Sequence, residues 1–481
     1  MSKKFDVLFL HPLTTFRKYL INTPYLPSHY PMLPMGLFSL AAILEKEGYQ
    51  VRIINIGLEV LLQESFDVEN FVRSIDADVY AIDLHWIYHS EGAIQLSQLC
   101  KKYHPDSLVI LGGFTASWFC LDILRNYGCI DTIVLGEGEE SMPKLVRSFL
   151  HGKSYAGVKG LAYRDDSTVK IAQPVPPNSL EEFEFTKLAL LKNWKHYLRV
   201  SPGGYISNDT LSFWITIGRG CKYNCIYCGG SHCSYRLVTN RSEPIFRSPD
   251  KVVQDILRLE EVGIEKICFS HDIEMVNNKY ALDLLQEIKK NRVDMQVYWE
   301  PSQLPTRGFL EKIKQVFYEV EVAIYPLSPN ENVRIKAGKM FTNNQFFNII
   351  KLCEKLGILT DVHFVVGLPY ENSDFYKLFQ KIVDQLTKYR HIMISPLSLY
   401  TLDPTSKMAI CPQEYGIKIY LKDFQDYMSI SSSPYIVDRI GYETPLLSRE
   451  KIIEITNKAN EYISAIQNQN TLHNNPSSRQ V

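Results

Sequence analysis

Twice along this 481-residue chain, short β-branched or aliphatic runs alternate with stretches of amphipathic helical spacing. No other feature narrows the fold as much. A strand buried on both faces reads as a nearly unbroken apolar run, so alternation of such runs with amphipathic helices predicts parallel strands joined by helical crossovers. In the first 150 residues the expected strands are 7–10, 51–55, 79–83, 108–111 and 132–135. Each ends in a polar or glycine-bearing turn: His11-Pro12, Asn55-Ile56-Gly57, Asp83-Leu84-His85-Trp86, Gly112-Gly113-Phe114-Thr115 and Gly136-Glu137-Gly138-Glu139. In open parallel sheets ligands bind at these carboxyl ends. Residues 1–150 are therefore expected as a doubly wound, Rossmann-like domain.

From 151 to 205 the pattern weakens, with one arm and the turn of a hairpin at 160–166 and a proline-rich break at 174–177. This stretch reads as a linker with a hairpin. Alternation resumes with six expected strands at 213–217, 266–269, 296–299, 320–324, 361–366 and 391–395, which predicts a partial (β/α)6 barrel over 206–410. Ser248-Pro249-Asp250 supplies an N-cap and a first-turn proline, and Val252, Ile256 and Leu259 then share one face. Residues 411–466 read as a small helical C-terminal region, with Ser448 capping its last helix. The polar, Asn-rich tail 467–481 reads as disordered.

Charge excludes some partners. Lys plus Arg number 52 against 53 Asp plus Glu, so no global field draws the chain to nucleic acid or an acidic membrane face. The opening segment is a poor secretory signal, and no run approaches the roughly 18 apolar residues of a membrane helix. Ten cysteines in a chain of this size are too sparse for a disulfide framework. A cytoplasmic protein with reduced thiols is expected.

Three of those cysteines stand together in Gly218-Arg219-Gly220-Cys221-Lys222-Tyr223-Asn224-Cys225-Ile226-Tyr227-Cys228-Gly229-Gly230, directly after an expected strand. Four thiolates fill the coordination of a cubane iron–sulfur cluster, whereas three leave one iron open to a substrate or cofactor. An open iron can chelate the amino and carboxylate groups of S-adenosylmethionine (SAM) and pass one electron to its sulfonium. Glycines let the loop wrap a cluster closely and donate N–H groups to its sulfurs, and Tyr227 would form an aromatic wall. The alternative is a zinc site, for which His232 or Cys233 would supply the fourth ligand.

With these residues the sequence resembles the radical SAM superfamily, whose members carry such a triad after the first barrel strand. The resemblance implies Cys221, Cys225 and Cys228 as ligands of a 4Fe-4S cluster and extends, in order, over about 190 residues. It implies SAM contacts from Tyr227 and Gly229, from Ser270 and Asp272 at the second strand end, and from Glu300 at the third. Ser328, Asn330 and Arg334 follow the fourth strand, and Gly367 lies in Val365-Val366-Gly367-Leu368-Pro369-Tyr370-Glu371, similar to the segment that runs under the adenine. Two departures stand out: Tyr325-Pro326-Leu327-Ser328 replaces the more familiar Gly-x-Glu-Ser, and Ser270-His271-Asp272 replaces Gly-Gly-Glu.

The first domain has no Gly-x-Gly-x-x-Gly after its first strand, which argues against a plain dinucleotide fold. Pro34-Met35-Gly36-Leu37, Ile110-Leu111-Gly112-Gly113-Phe114-Thr115 and Gly136-Glu137-Gly138-Glu139 instead resemble the cobalamin-binding domain found upstream of many radical SAM barrels. The resemblance implies cofactor contacts from Pro34, Gly36, Asn55, His85, Gly112, Gly113, Thr115, Gly136, Glu137, Gly138 and Glu139. The Asp-x-His-x-x-Gly element that supplies a lower axial histidine in some cobalamin enzymes is absent. Leu402-Asp403-Pro404-Thr405-Ser406 and Tyr415-Gly416 resemble a subgroup of the same enzymes.

The resemblance implies reductive cleavage of SAM to a 5′-deoxyadenosyl radical, with cobalamin-dependent methyl transfer to an unactivated carbon of a small molecule or peptide. Its rivals are a non-methylating rearrangement or cyclisation, and a non-catalytic protein stabilised by zinc or a cluster. An electron donor such as flavodoxin or ferredoxin is the implied partner.

Overall fold

A computed structural model describes residues 4–15, 30–202, 210–433 and 436–474. The first sheet is built from β1 (Phe5–His11), β2 (Val51–Asn55), β3 (Ala77–Asp83), β4 (Leu108–Gly112), β5 (Thr132–Val134), β6 (Leu161–Asp165) and β7 (Thr168–Ile171). Its order is β2-β1-β3-β4-β5-β6-β7. The first five strands are parallel, as expected of apolar runs buried on both faces: Val7, Leu8, Phe9 and Leu10 are all buried. The hairpin read as part of a linker belongs to this sheet, because β6 pairs antiparallel with β5. The expected junction at 205 and 206 lies outside the described residues.

The second sheet is parallel throughout. β8 (Ser212–Ile215) leads into the short β9 (Gly218–Arg219), which pairs antiparallel with β10 (Ile245–Phe246) and holds the cysteine loop between them. The barrel continues through β11 (Lys266–Phe269), β12 (Gln296–Trp299), β13 (Glu319–Leu327), β14 (Leu359–Val366), β15 (Ile392–Ile394) and β16 (Ser398–Leu399). The order β15-β14-β13-β12-β11-β8, with β16 also on β14, leaves β8 and β15 as edges, so the barrel is partial. Helix Pro249–Glu261 starts where the sequence places it: the Ser248 hydroxyl accepts from the Lys251 N–H, and Val252, Ile256 and Leu259 are buried.

The C-terminal region is less purely helical than expected. β17 (Lys418–Ile419) pairs antiparallel with β18 (Tyr442–Glu443), and helix Phe424–Ser432 returns to the first domain, where Phe424 and Tyr427 pack on Phe119. The last helix runs Arg449–Asn474, past the point where the tail was expected to begin. Residues 475–481 of that tail lie outside the described residues.

The two domains share one core. Phe38 of the first packs edge-on against Phe213 of the second at 5.7 Å, and the Leu33 N–H donates to the Tyr197 hydroxyl at 3.1 Å. Among the described residues no helix is long and apolar enough to cross a membrane.

Candidate functional site

The carboxyl ends of both sheets open onto one cavity of ≈690 Å³, within the roughly 300–1,000 Å³ range of small-molecule and cofactor sites. From the first domain it is lined by Pro34, Gly36, His85, Gly112, Gly113 and the loop Gly136-Glu137-Gly138-Glu139. From the second come Trp214, Arg219, Gly229, Ser270, His271, Glu300 and Asp403. Nine of the eleven residues implied for the first domain line this space, and Gly229, Ser270 and Glu300 join them from those implied for the second.

On the first domain's side the walls are apolar and the rims are glycine. Gly113 has φ +104, and a Cβ there would lie 2.9 Å from the His85 backbone, so only glycine closes this turn. Burial pushes the His85 imidazole down to about 4, leaving it neutral near pH 7. Two expected contacts face elsewhere. Asn55 caps helix Ile56–Leu62, accepting from the Leu58 N–H at 3.0 Å while donating to the Pro31 carbonyl at 2.7 Å. The Thr115 hydroxyl donates to the His85 carbonyl at 2.8 Å and braces that loop.

The cysteine loop has the features a cluster requires. Backbone N–H groups of Tyr223 and Gly230 donate to the sulfurs of Cys221 and Cys228 at 3.4 and 3.3 Å. Burial pushes all three thiols up, Cys228 to about 12, so a cationic metal centre is what would hold them as thiolates. Gly338, at φ +105, presses on Cys225, and a Cβ there would lie 2.8 Å from the Cys225 Cα. His232, weighed above as a zinc ligand, turns its Nδ1 to the Cys221 carbonyl at 3.2 Å. Among the described residues no three His, Cys, Asp or Glu gather around a single metal ion. A four-iron cluster takes each of its thiolates on a different iron.

Around this loop the implied SAM residues divide. Glu300 faces the cavity, its Oε1 accepting from the Tyr298 hydroxyl at 2.6 Å and the Tyr325 hydroxyl at 3.3 Å. Asp272 is buried, and its Oδ2 accepts from the Ser302 N–H at 2.9 Å. Tyr227 is tied to the segment after β16 through its carbonyl, which accepts from the Tyr400 hydroxyl. The Gly367 N–H donates to Glu371, whose carboxyl burial pushes up to about 7.

Arg334, Asn330 and Ser328 are internal. The Arg334 guanidinium is fully buried and donates to the carbonyls of Pro326, Ser328 and Phe341 and to Asn343 Oδ1. Asn330 caps helix Glu331–Lys336, and Ser328 accepts from the Asn330 N–H. These three organise the turn after β13 instead of reaching the cavity.

Sequence reasoning missed Lys339. Its buried ammonium donates to the Ser302 carbonyl at 2.7 Å, and its charge is felt by Cys225, Cys228 and Cys221. The one local clue is a lysine directly after the positive-φ Gly338.

Residues 26–146 match the family profile of the B12 binding domain, and residues 215–382 match that of the radical SAM superfamily. The chain is a radical SAM enzyme with an upstream B12-binding domain, and its cofactors are a 4Fe-4S cluster, SAM and cobalamin. It is 26% identical over 348 residues to an uncharacterised methyltransferase of Pyrococcus horikoshii, covering 71% of each chain. It is 24% identical to the anaerobic magnesium-protoporphyrin IX monomethyl ester cyclase of Rubrivivax gelatinosus, covering 90% of this chain and 74% of that one. In fold it is similar to the radical SAM methyltransferase TsrM of Kitasatospora setae, solved with tryptophan and a SAM analogue: TM-score 0.65, 17% identity, covering 88% of this chain and 79% of that one.

Proposed function

We propose that this enzyme transfers a methyl group to an unactivated carbon of a small molecule or peptide. The observation that carries this reading is the single cavity, which puts the glycine-rimmed loops of the first domain opposite Gly229, Ser270 and Glu300 of the second. When bound, the cluster and SAM supply the radical that removes hydrogen, and cobalamin supplies the methyl group.

The chain's own residues position and exclude. The loop glycines admit close approach of large planar groups. Glu300, its Oε1 already satisfied by two phenols, offers its second oxygen to a hydroxyl or cationic donor. His85 and His271, both held near 4 by burial, stay neutral near pH 7. An electron must enter from a donor such as flavodoxin or ferredoxin. A cytoplasmic setting is consistent with the ten free cysteines.

The cyclase relative, matched over 90% of this chain, supports a second reading, a cobalamin-dependent rearrangement or cyclisation without methylation. Product stoichiometry separates the two. Methyl transfer releases S-adenosylhomocysteine and 5′-deoxyadenosine together, and turnover with only 5′-deoxyadenosine would favour the second reading.

A further inference from the structure

A buried cluster of four charged side chains joins the two domains. Arg219, two residues before Cys221, donates from Nη1 to Glu137 Oε2 at 3.0 Å and to Glu139 Oε2 at 2.9 Å, with Nη2 on Glu139 Oε1. Arg241, beyond helix His232–Thr239, donates from Nη2 to Glu137 Oε2 at 2.8 Å and from Nε to Oε1. Ser39 of the first domain donates to Glu139 at 2.6 Å. The side chains of Arg219, Glu137, Glu139 and Arg241 are 11%, 5%, 1% and 6% exposed.

The two glutamates flank Gly138 on the rim of the first domain's site, and the two arginines bracket the cysteine loop and the helix that follows it. Gly136 packs on the same helix, where a Cβ would lie 3.0 Å from the Thr239 Cα. Burial disfavours the charge on Glu139, but the Arg219 charge together with the hydrogen bonds from Arg219 and Ser39 offsets it and holds the carboxyl below its usual range. Arg219 is likewise held above its usual value by Glu139 and Glu137 against desolvation. A buried network of this kind tolerates little displacement, because separating its members strands charges away from water.

We infer that Arg219 is a positioning residue: through Glu137 and Glu139 it locks the cobalamin-domain loop to the cluster loop and so fixes the separation of the two cofactors across the cavity. A fold needs no such link, since the shared apolar core already joins the domains. A reaction that passes a group from one cofactor's side to a radical made on the other's does need it, because reacting atoms must meet at close to contact distance. This inference rests on the proposed occupancy of both sites.

The test is pulsed electron paramagnetic resonance on protein reconstituted with cluster and cobalamin, reading the distance between cob(II)alamin and the reduced cluster. Wild type should give one narrow distance. R219M should retain both cofactors yet lose that single distance for a broader or longer distribution. R247M breaks an equally buried pair inside the barrel, Arg247 with Asp255 at 2.6 Å, and should lower stability while keeping the narrow distance. A narrow, unchanged distance in R219M would overturn the inference. Should R219M fail to hold a cofactor, E139Q carries the same test, because it leaves Arg219 on Glu137; partial broadening supports the lock and none refutes it. A wild type that binds no cobalamin sinks the proposed function itself, and the inference with it.

Discussion

Gly338 offers a quantitative probe of how the fold holds a cluster ligand. Substituting alanine has two costs. The first is backbone strain, since φ +105 is rarely adopted by an L residue, at about 1–2 kcal/mol. The second is overlap: the new Cβ would lie 2.8 Å from the Cys225 Cα and 3.1 Å from its sulfur, and such overpacking adds about 1–3 kcal/mol. Gly357, the C-cap of helix Asn343–Leu356 at φ +63, has nothing within 4 Å of its would-be Cβ, so Gly357→Ala bears the first cost alone. Urea unfolding of the apoprotein should rank Gly338→Ala below Gly357→Ala by about 1–3 kcal/mol. Because relief must come from moving Cys225, iron and sulfide content after reconstitution should fall in Gly338→Ala only. Equal iron content in the two variants would refute the claim that Gly338 sets the Cys225 position.

Three further outcomes follow from other buried contacts. Glu371 binds its proton more tightly folded than unfolded, so the stability it lends is complete below the usual value of 4.5 and lost as pH rises through about 7. Wild type should therefore lose stability on the order of 3 kcal/mol between those pH values relative to Glu371→Gln, and parallel urea-midpoint curves would contradict this. Arg247→Met removes the shortest partner of the buried Asp255 carboxylate, leaving it the Thr186 hydroxyl at 3.2 Å and Arg258 at 3.4 Å, and should cost about 1–3 kcal/mol by the same assay. Gly229→Ala drives a Cβ to 2.0 Å from the Asp403 carboxylate, so cluster absorbance after reconstitution should drop, and Asp403→Ala in the same chain should restore part of it.

Much of the fold was legible because parallel, doubly buried strands write themselves as local apolar runs: β2, β11 and β12 fall on the expected residues, and the other expected strands differ by a few at their ends. The hairpin's sheet was not legible, since β7 is almost wholly exposed and carries no pattern to say which edge it joins. β13 extends past its expected end through an irregularity between Ile324 and Leu327 that periodicity cannot foresee. Asn- and Gln-rich sequence hid the last turns of the C-terminal helix, where helix formation has no apolar stripe to announce it. At the site, the cysteine triad and the glycine turns were readable because spacing and φ requirements are local. Arg219, Arg241 and Glu137 pair across 82 and 104 positions and leave no local trace. Arg334 is the reverse case, a motif-matched residue whose guanidinium donates to three backbone carbonyls and the Asn343 side chain around it.

The central claim, that one chain brings a radical-generating cluster and cobalamin to a single cavity, is tested most directly by anaerobic reconstitution with iron, sulfide and hydroxocobalamin. The absorption spectrum is recorded, then SAM and a strong reductant are added and adenosyl products quantified for wild type and Cys225→Ala. The account predicts bound cobalamin in both proteins, with cluster absorbance and 5′-deoxyadenosine in wild type alone. A wild type that binds no cobalamin, or that leaves SAM intact with its cluster fully loaded and reduced, would contradict it.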